Sequence, residues 1–91
     1  MARVIDAELR GSYCVFVEFK DGTKGVIDLR NELEGDHRQI VRDLLDEKMF
    51  KTMKVDLDTL RWDNEMDFCP NYLYKMVNAK ENHATRLTPN K

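Results

Sequence analysis

An acidic series around the single tryptophan holds the residues of this chain best suited to metal chemistry. Its members are Asp56, Asp58, Asp63 and Asp67, which surround Trp62. Carboxylate oxygens are ligands that Mg²⁺ and Ca²⁺ prefer, so one interpretation is a small metal-dependent enzyme or a ligand-binding protein. The Asp-x-Asp fragment lacks the glycine and the terminal glutamate of a calcium-binding loop. Turn and helix-capping roles explain the same aspartates, so we expect no metal ligand and no cofactor.

Histidine and cysteine, the other candidate ligands, occur twice each. His37 and His83 have no partner at metal-ligand spacing, which favours two surface histidines. Cys14 and Cys69 form no CxxC pair, and their setting favours two free, buried cysteines over a disulfide or a reactive thiol. Free cysteines are typical of a reducing compartment, so we expect a cytoplasmic protein. No Ser/His/Asp context and no glycine-rich phosphate loop occurs in the sequence, so we expect no catalytic residue.

Composition limits the classes of function further. The chain has 91 residues, a net charge of −2 and 35% charged residues. This even balance argues against direct nucleic-acid binding and against binding to anionic membranes. No apolar run is long enough to span a bilayer, and no signal-peptide core occurs near the start. A domain of this size buries a modest core, which disfavours a monomeric enzyme and leaves open a site shared between subunits.

The elements that must position these residues begin with three predicted strands. Apolar residues alternate over Arg3–Leu9, Tyr13–Phe19 and Lys24–Leu29. A Gly-Ser pair and an Asp-Gly pair separate the three runs, as in hairpin turns. The alternation places Tyr13 and every second residue up to Phe19 on one face. The pattern therefore predicts a three-stranded antiparallel meander.

Helical spacing follows from Leu29 onward. Gly35 is a predicted helix end, and Asp36 is the predicted N-cap of a second helix that ends between Leu45 and Glu47. Two later runs, Met53–Val55 and Leu60–Trp62, predict a second hairpin.

The last predicted element is a helix that begins near Pro70, with Asp67 as its favoured N-cap. Its apolar stripe ends at Val77. The expected fold is α+β: a small antiparallel sheet of about five strands, built from the meander and the later hairpin, with two or three short helices on one face. The expected domain covers residues 1–77, and residues 78–91 are expected to form a polar, flexible tail.

Three passages carry a family resemblance: Phe19–Leu29 (FKDGTKGVIDL), Leu44–Phe50 (LLDEKMF) and Arg61–Tyr74 (RWDNEMDFCPNYLY). They resemble the bacterial domain-of-unknown-function family 2442, over roughly residues 3–77. The family pattern ends in a tryptophan followed by Asp-x-x-Pro-x-x-Leu-Tyr. In the turn after the tryptophan the family often has Pro and Gly, where this chain has Asp63 and Glu65.

The resemblance implies a small α+β domain with no established activity. Small stand-alone relatives resemble accessory partners in bacterial two-gene modules of the toxin–antitoxin type. We therefore expect a non-enzymatic interaction or accessory protein, with an enzyme built on the acidic series as the alternative.

The candidate interaction surface is the aromatic and acidic block near the tryptophan. It comprises Trp62, Asp63, Asp67, Tyr72 and Tyr74. Aromatic residues beside charged ones are typical of interfaces, although core and rim packing explains the same aromatics. The partner would be another protein or a second copy, and the first strand would pair with it if that strand lies at a sheet edge.

Overall fold

The computed structural model describes the backbone of residues 1–86 and the side chains of residues 1–79. In this part of the chain the strands are β1 (Val4–Leu9), β2 (Cys14–Phe19), β3 (Lys24–Asp28), β4 (Lys54–Asp56) and β5 (Thr59–Arg61). The helices are α1 (Arg30–Gly35), α2 (Gln39–Arg42), α3 (Glu47–Phe50) and α4 (Pro70–Arg86), and a 3₁₀ turn, Asp43–Leu45, follows α2. The predicted α+β class, with a meander and a later hairpin, is confirmed.

The meander has the predicted antiparallel order β1-β2-β3. Val15, Val17 and Phe19 are buried on one face of β2, as the alternation indicated. Strand β2 begins at Cys14 rather than Tyr13, because Tyr13 has a φ of 67° and belongs to the turn. The Tyr13 hydroxyl donates a hydrogen bond to the Leu45 carbonyl, so this ring ties the turn to the helical layer.

The later hairpin forms a separate two-stranded ladder, so the five strands lie in two sheets rather than one. The sheets meet where the Val4 N–H donates to the Asp58 carbonyl at 2.9 Å. A register irregularity between Val4 and Asp6 follows at once in β1. A bulge bends its strand locally, and β1 resumes regular pairing with β2 from Asp6 onward.

Strand β1 lies at an edge of the meander, which is the position that strand pairing with a partner requires. The sequence indicated that little protects this run from pairing with another strand, but the structure shows several features that do. The irregularity interrupts the strand, the hairpin occupies the Val4 N–H, and the Asp6 carboxylate accepts the Ala7 N–H at 2.9 Å. Pairing of β1 with another chain stays a prediction.

The helical layer is divided into shorter pieces than predicted. Helix α1 ends at Gly35 as expected. The Asp36 carboxylate accepts the Arg38 N–H at 2.8 Å, before α2 begins, so it shapes the turn instead of capping the helix. The single second helix of the prediction is divided into α2 and the 3₁₀ turn. A separate helix, α3, follows where a turn was expected, and Asp46 caps it by accepting the Lys48 N–H.

Helix α4 begins at Pro70 as predicted and continues past Val77 to Arg86. The extension is reasonable because the sequence from 78 to 86 contains Ala79 and no glycine or proline. Residues 87–91 of the predicted tail lie outside the described residues, and the flexibility of that tail stays a prediction. Among the described residues, no helix is both long and apolar enough to cross a bilayer.

Candidate functional site

Trp62 belongs to the core and contributes no side chain to an exposed surface. Its side chain is 1% exposed. The indole N–H donates to the Phe50 carbonyl at 2.9 Å, and the ring lies 5.7 Å from those of both Phe50 and Phe68. The indole is therefore fully paired inside the molecule, at the point where α3, β5 and the segment after β5 meet.

Three members of the acidic series pair with two cations, Lys54 and Arg61, and among the described residues they form no metal-binding cluster. Asp63 lies 3.7 Å from the Lys54 ammonium, and Asp67 lies 3.9 Å from the Arg61 guanidinium. Asp56 lies 3.9 Å from Nε of that same guanidinium. Exposed pairs of this length add little stability. In the described part of the chain, no three His, Cys, Asp or Glu side chains lie close enough together to hold a metal ion.

Tyr74 connects α4 to the turn between β2 and β3. Its ring packs edge-on against Phe19, with centroids 5.0 Å apart. Its hydroxyl donates to the Asp21 carboxylate at 2.6 Å and accepts from the Thr23 hydroxyl at 3.3 Å. The hydrogen bond from Tyr74 is the main reason that the pKa of Asp21 lies below its usual value, and the Thr23 N–H adds to the effect. These contacts give Tyr74 a role in fixing α4 on the sheet.

Tyr74→Phe should therefore move the pKa of Asp21 back up toward its ordinary value, because the carboxylate loses its strongest donor. The carboxyl resonance of Asp21, followed by NMR as the pH falls, measures this directly. A carboxyl with a lowered pKa stabilises the fold above its ordinary pKa and loses that contribution as the pH falls through the lowered value. Acid unfolding of the wild type should thus depend on this contact, whereas acid unfolding of Tyr74→Phe should not. An unchanged Asp21 titration in Tyr74→Phe would contradict the assignment.

Tyr72 lies away from Tyr74, since residues two positions apart do not share a helix face. Its side chain is 43% exposed and stacks on Phe68, with centroids 6.4 Å apart and planes at 11°. The hydroxyl donates to the Glu32 carboxylate at 3.2 Å. Burial and then the nearby Glu32 charge raise the pKa of the phenol. The predicted surface is thus divided, and only Asp67 and Tyr72 of its members line the same groove.

This groove, here called the Tyr72 groove, runs between α1, the start of α2, the segment after β5 and the first turns of α4. Its lining comprises Asn31, Glu32, Gly35, Asp36, His37, Arg38, Ile40, Val41, Glu65, Met66, Asp67, Phe68, Cys69 and Tyr72, around an open volume of about 960 Å³. Exposed apolar surface comes from Ile40, which is 40% exposed, and from Tyr72. The groove therefore combines an apolar floor with a charged rim.

The rim of the Tyr72 groove is acidic. Four carboxylates and one guanidinium are part of the lining. That guanidinium, Arg38, is bound by Asp36 with a closest distance of 2.8 Å, and this contact lowers the pKa of Asp36 to about 2. The rim therefore keeps a surplus of negative charge, carried mainly by Glu32 and Glu65, because Asp67 lies 3.9 Å from Arg61.

The turn that supplies part of this rim has a strained residue. Glu65 has a φ of 70°, in the left-handed region that favours glycine. The Asn64 side chain holds the turn against α2 by donating to the Ile40 carbonyl at 3.0 Å. Sequence reasoning missed Ile40, Phe68 and Glu65 as members of a site. The one available signal was Glu65, which departs from the family pattern in this turn.

The cysteines and histidines agree only in part with expectation. Both cysteines are free, and Cys14 is half-buried, but Cys69 is exposed at the groove, so its expected burial is wrong. His37 is exposed, as predicted. The side chain of His83 lies outside the described residues.

The chain matches a known protein family. A protein-family sequence model described as "Protein of unknown function (DUF2442)" matches residues 4–79. The searches of curated proteins and of solved structures found no match.

Proposed function

The chain belongs to the DUF2442 family of proteins of unknown function, and we propose from its own surface that it is a non-enzymatic interaction module. The Tyr72 groove is the binding surface, and its occupant is a polypeptide segment with an apolar side chain flanked by Lys or Arg. The observation that carries the proposal is the pairing of exposed apolar residues, Ile40 and Tyr72, with a rim of surplus carboxylates.

The chemistry of the occupant follows from the groove. An apolar anchor would cover Ile40 and the face that Phe68 and Tyr72 present, which is where interface energy concentrates. Basic flanking residues would face Glu65 and Asp67, which fixes register and speeds association more than it adds affinity. A second copy is a poor occupant, because it would bring the same acidic rim against itself.

Glu65 supports the assignment in a second way. A non-glycine residue in the left-handed region costs about 1–2 kcal/mol, and the Glu65 side chain is exposed. A glutamate at this place does not stabilise the fold, whereas its charge is useful on the rim of a binding groove. Strained residues of this kind are often kept where they act on a ligand.

Selection of a displayed library of linear peptides against the protein tests the proposal. We expect enrichment of Leu, Ile, Met or Phe flanked by Lys or Arg. Binding of an enriched synthetic peptide, followed by fluorescence anisotropy, should weaken about two- to fivefold in Glu65→Gly and at least about tenfold in Ile40→Asp. Glu65→Gly should leave the free energy of unfolding unchanged or raise it by up to about 1 kcal/mol, because the strain is relieved.

Glu47→Lys is the matched control, because it reverses an exposed carboxylate on α3 outside the Tyr72 groove and should leave the affinity unchanged. Amide shifts on titration should concentrate at Ile40, Glu65 and Tyr72. Enrichment of acidic peptides, or binding unaffected by Ile40→Asp, would exclude the groove as the site.

The finer parts of the proposal concern its setting. We place the protein in the bacterial cytoplasm, as an accessory partner in a two-gene module of the toxin–antitoxin type. The family resemblance supports the accessory role, and the free cysteines support a reducing compartment. The alternative, an enzyme built on the acidic series, has less support because Asp63 pairs with Lys54 and the other two paired carboxylates share Arg61.

A further inference from the structure

Tyr72 and Glu32 form a pair of an aromatic ring and a carboxylate inside the Tyr72 groove. The Tyr72 hydroxyl donates to Oε2 of Glu32 at 3.2 Å, which joins the start of α4 to α1. The ring stacks on Phe68, and Tyr72 still has 43% of its surface exposed. Glu32 is half-buried. An accessible ring and a partly desolvated carboxylate therefore lie side by side in the groove.

Glu32 has no cation to balance its charge. In the described part of the chain, it takes part in no ion pair with Lys, Arg or His. Arg30, on the same helix, lies 3.7 Å from Glu34 instead. Arg38, the guanidinium in the groove lining, is bound by Asp36. The Glu32 carboxylate is therefore available to a cation that comes from outside the molecule.

The meander shows how such a pair binds a cation. There the Arg10 guanidinium lies 5.1 Å from the centroid of the Phe16 ring, while its Nε donates to Oε1 of Glu8 at 2.8 Å. A guanidinium can do both at once, because it is planar, stacks on aromatic faces and directs its N–H groups outward in its own plane. A lysine ammonium is a compact, strongly hydrated point charge and has no plane to stack. The Tyr72 groove offers the same ring and carboxylate without the arginine.

We propose that one basic residue of the groove's occupant is an arginine, whose guanidinium stacks on Tyr72 and donates to the Glu32 carboxylate. This inference rests on the proposed function, since it names a residue that the bound segment must carry. The guanidinium lies at the hydroxyl end of the ring, beside Glu32. Ile40 and the Phe68 side of the aromatic surface remain for the apolar anchor. The arginine thus determines which segments bind, and the anchor supplies most of the affinity.

The first arm of the test compares arginine with lysine in one peptide. Each basic position of a peptide enriched by the selection is filled in turn with arginine or with lysine, and binding is followed by fluorescence anisotropy. At one position we expect arginine to bind about three- to tenfold more tightly than lysine. Both residues carry one positive charge, so a preference of this size reports stacking and the directed hydrogen bond rather than charge alone.

Variants of the groove locate the preference. Tyr72→Leu removes the ring, so the ratio of the two affinities should fall below about twofold, whereas Tyr72→Phe keeps the ring and should keep the preference. Glu32→Gln should weaken binding of the arginine peptide about three- to tenfold, because a hydrogen bond to a charged group is lost. Glu34→Gln is the matched control, since it neutralises another carboxylate of α1 outside the groove lining and should leave the affinity unchanged.

The outcomes separate this inference from the proposed function. Equal affinity of the arginine and lysine peptides at every basic position would overturn the inference and leave the groove as the binding site. An arginine preference that survives both Tyr72→Leu and Glu32→Gln would overturn it as well. Failure of the groove itself has a different signature, because Ile40→Asp would then leave the binding of both peptides unchanged.

A second arm needs no selected peptide. N-acetylarginine amide and N-acetyllysine amide are each titrated into the full-length protein at millimolar concentrations, and the backbone amides are followed by NMR. The arginine compound should shift the amides of Tyr72 and Glu32 at least about twice as far as the lysine compound. Equal shifts, or no shift at either residue, would overturn the inference. If the selection enriches no peptide, the proposed function fails, and this arm alone decides whether the groove recognises arginine.

Discussion

Trp62→Ala is expected to lower the free energy of unfolding by about 3–5 kcal/mol, the largest effect of any single substitution considered for this domain. The side chain is 1% exposed and lies between the rings of Phe50 and Phe68. Its removal would leave a large cavity and would also leave the Phe50 carbonyl without the indole donor. Urea denaturation followed by circular dichroism measures the change.

Trp62→Phe serves as the control, since a domain of this size has little stability to lose and the alanine variant is at risk of unfolding. The phenyl ring fills much of the space but cannot donate to the Phe50 carbonyl. We expect a loss of about 1–3 kcal/mol, mainly from the unpaired carbonyl and the remaining void. If both variants have the same urea unfolding midpoint as the wild type, Trp62 does not belong to the core, and its place in the site is wrong.

The sequence predicted the structure correctly where short-range preferences determine it. The alternation in β2 and the Asp21-Gly22 turn predict the meander, because each is a short-range property of neighbouring residues. The start of α4 at Pro70 follows from the same kind of local preference. The separation of the hairpin into its own sheet was not predictable in this way. It depends on how the two sheets meet in the tertiary fold, at the bond from the Val4 N–H to the Asp58 carbonyl, which leaves no sequence pattern of its own.

The candidate site could be predicted from the sequence only in part, for a similar reason. Trp62, Tyr72 and Tyr74 are close in sequence, and that closeness suggested one surface. The structure divides them, because a strand end buries Trp62 and helical geometry turns Tyr72 and Tyr74 in different directions. The Tyr72 groove brings Ile40 and Glu65 together only through the tertiary fold. An unusual residue in a glycine-preferring turn was its single sequence signal.

The contact of α4 with the sheet rests on a close approach at Gly25. This residue pairs with Val17 of β2, and α4 crosses above it. A Cβ atom placed on Gly25 would lie 3.2 Å from a methyl carbon of Val77, which is tighter than ordinary van der Waals contact. The constraint at Gly25 is thus one of space and not of its own φ: an added Cβ requires Val77 to yield by a few tenths of an ångström, and a larger side chain requires more.

Gly25→Leu should therefore destabilise the domain, by about 1–3 kcal/mol, as overpacking does. Replacing a strand glycine by itself stabilises a domain by about 0.5–1 kcal/mol, which opposes this loss. The sign of the net change in the free energy of unfolding therefore depends on whether α4 can move. Tyr74 and its bond to Asp21 hold the helix in place, which favours the loss. Gly35→Leu is the matched control, since a Cβ there meets nothing within 4 Å and its effect should be small.

Val77→Ala then provides the decisive comparison, because it removes the methyl groups that a side chain on Gly25 would meet. Alone it should destabilise the domain by loss of packing, since Val77 is buried. Combined with Gly25→Leu, it should cost less than the sum of the two single changes, with a coupling of about 0.5–3 kcal/mol measured by urea denaturation of all four proteins. Strict additivity would mean that α4 does not rest on β3 at Gly25, and the position of the helix that lines the Tyr72 groove would then be wrong.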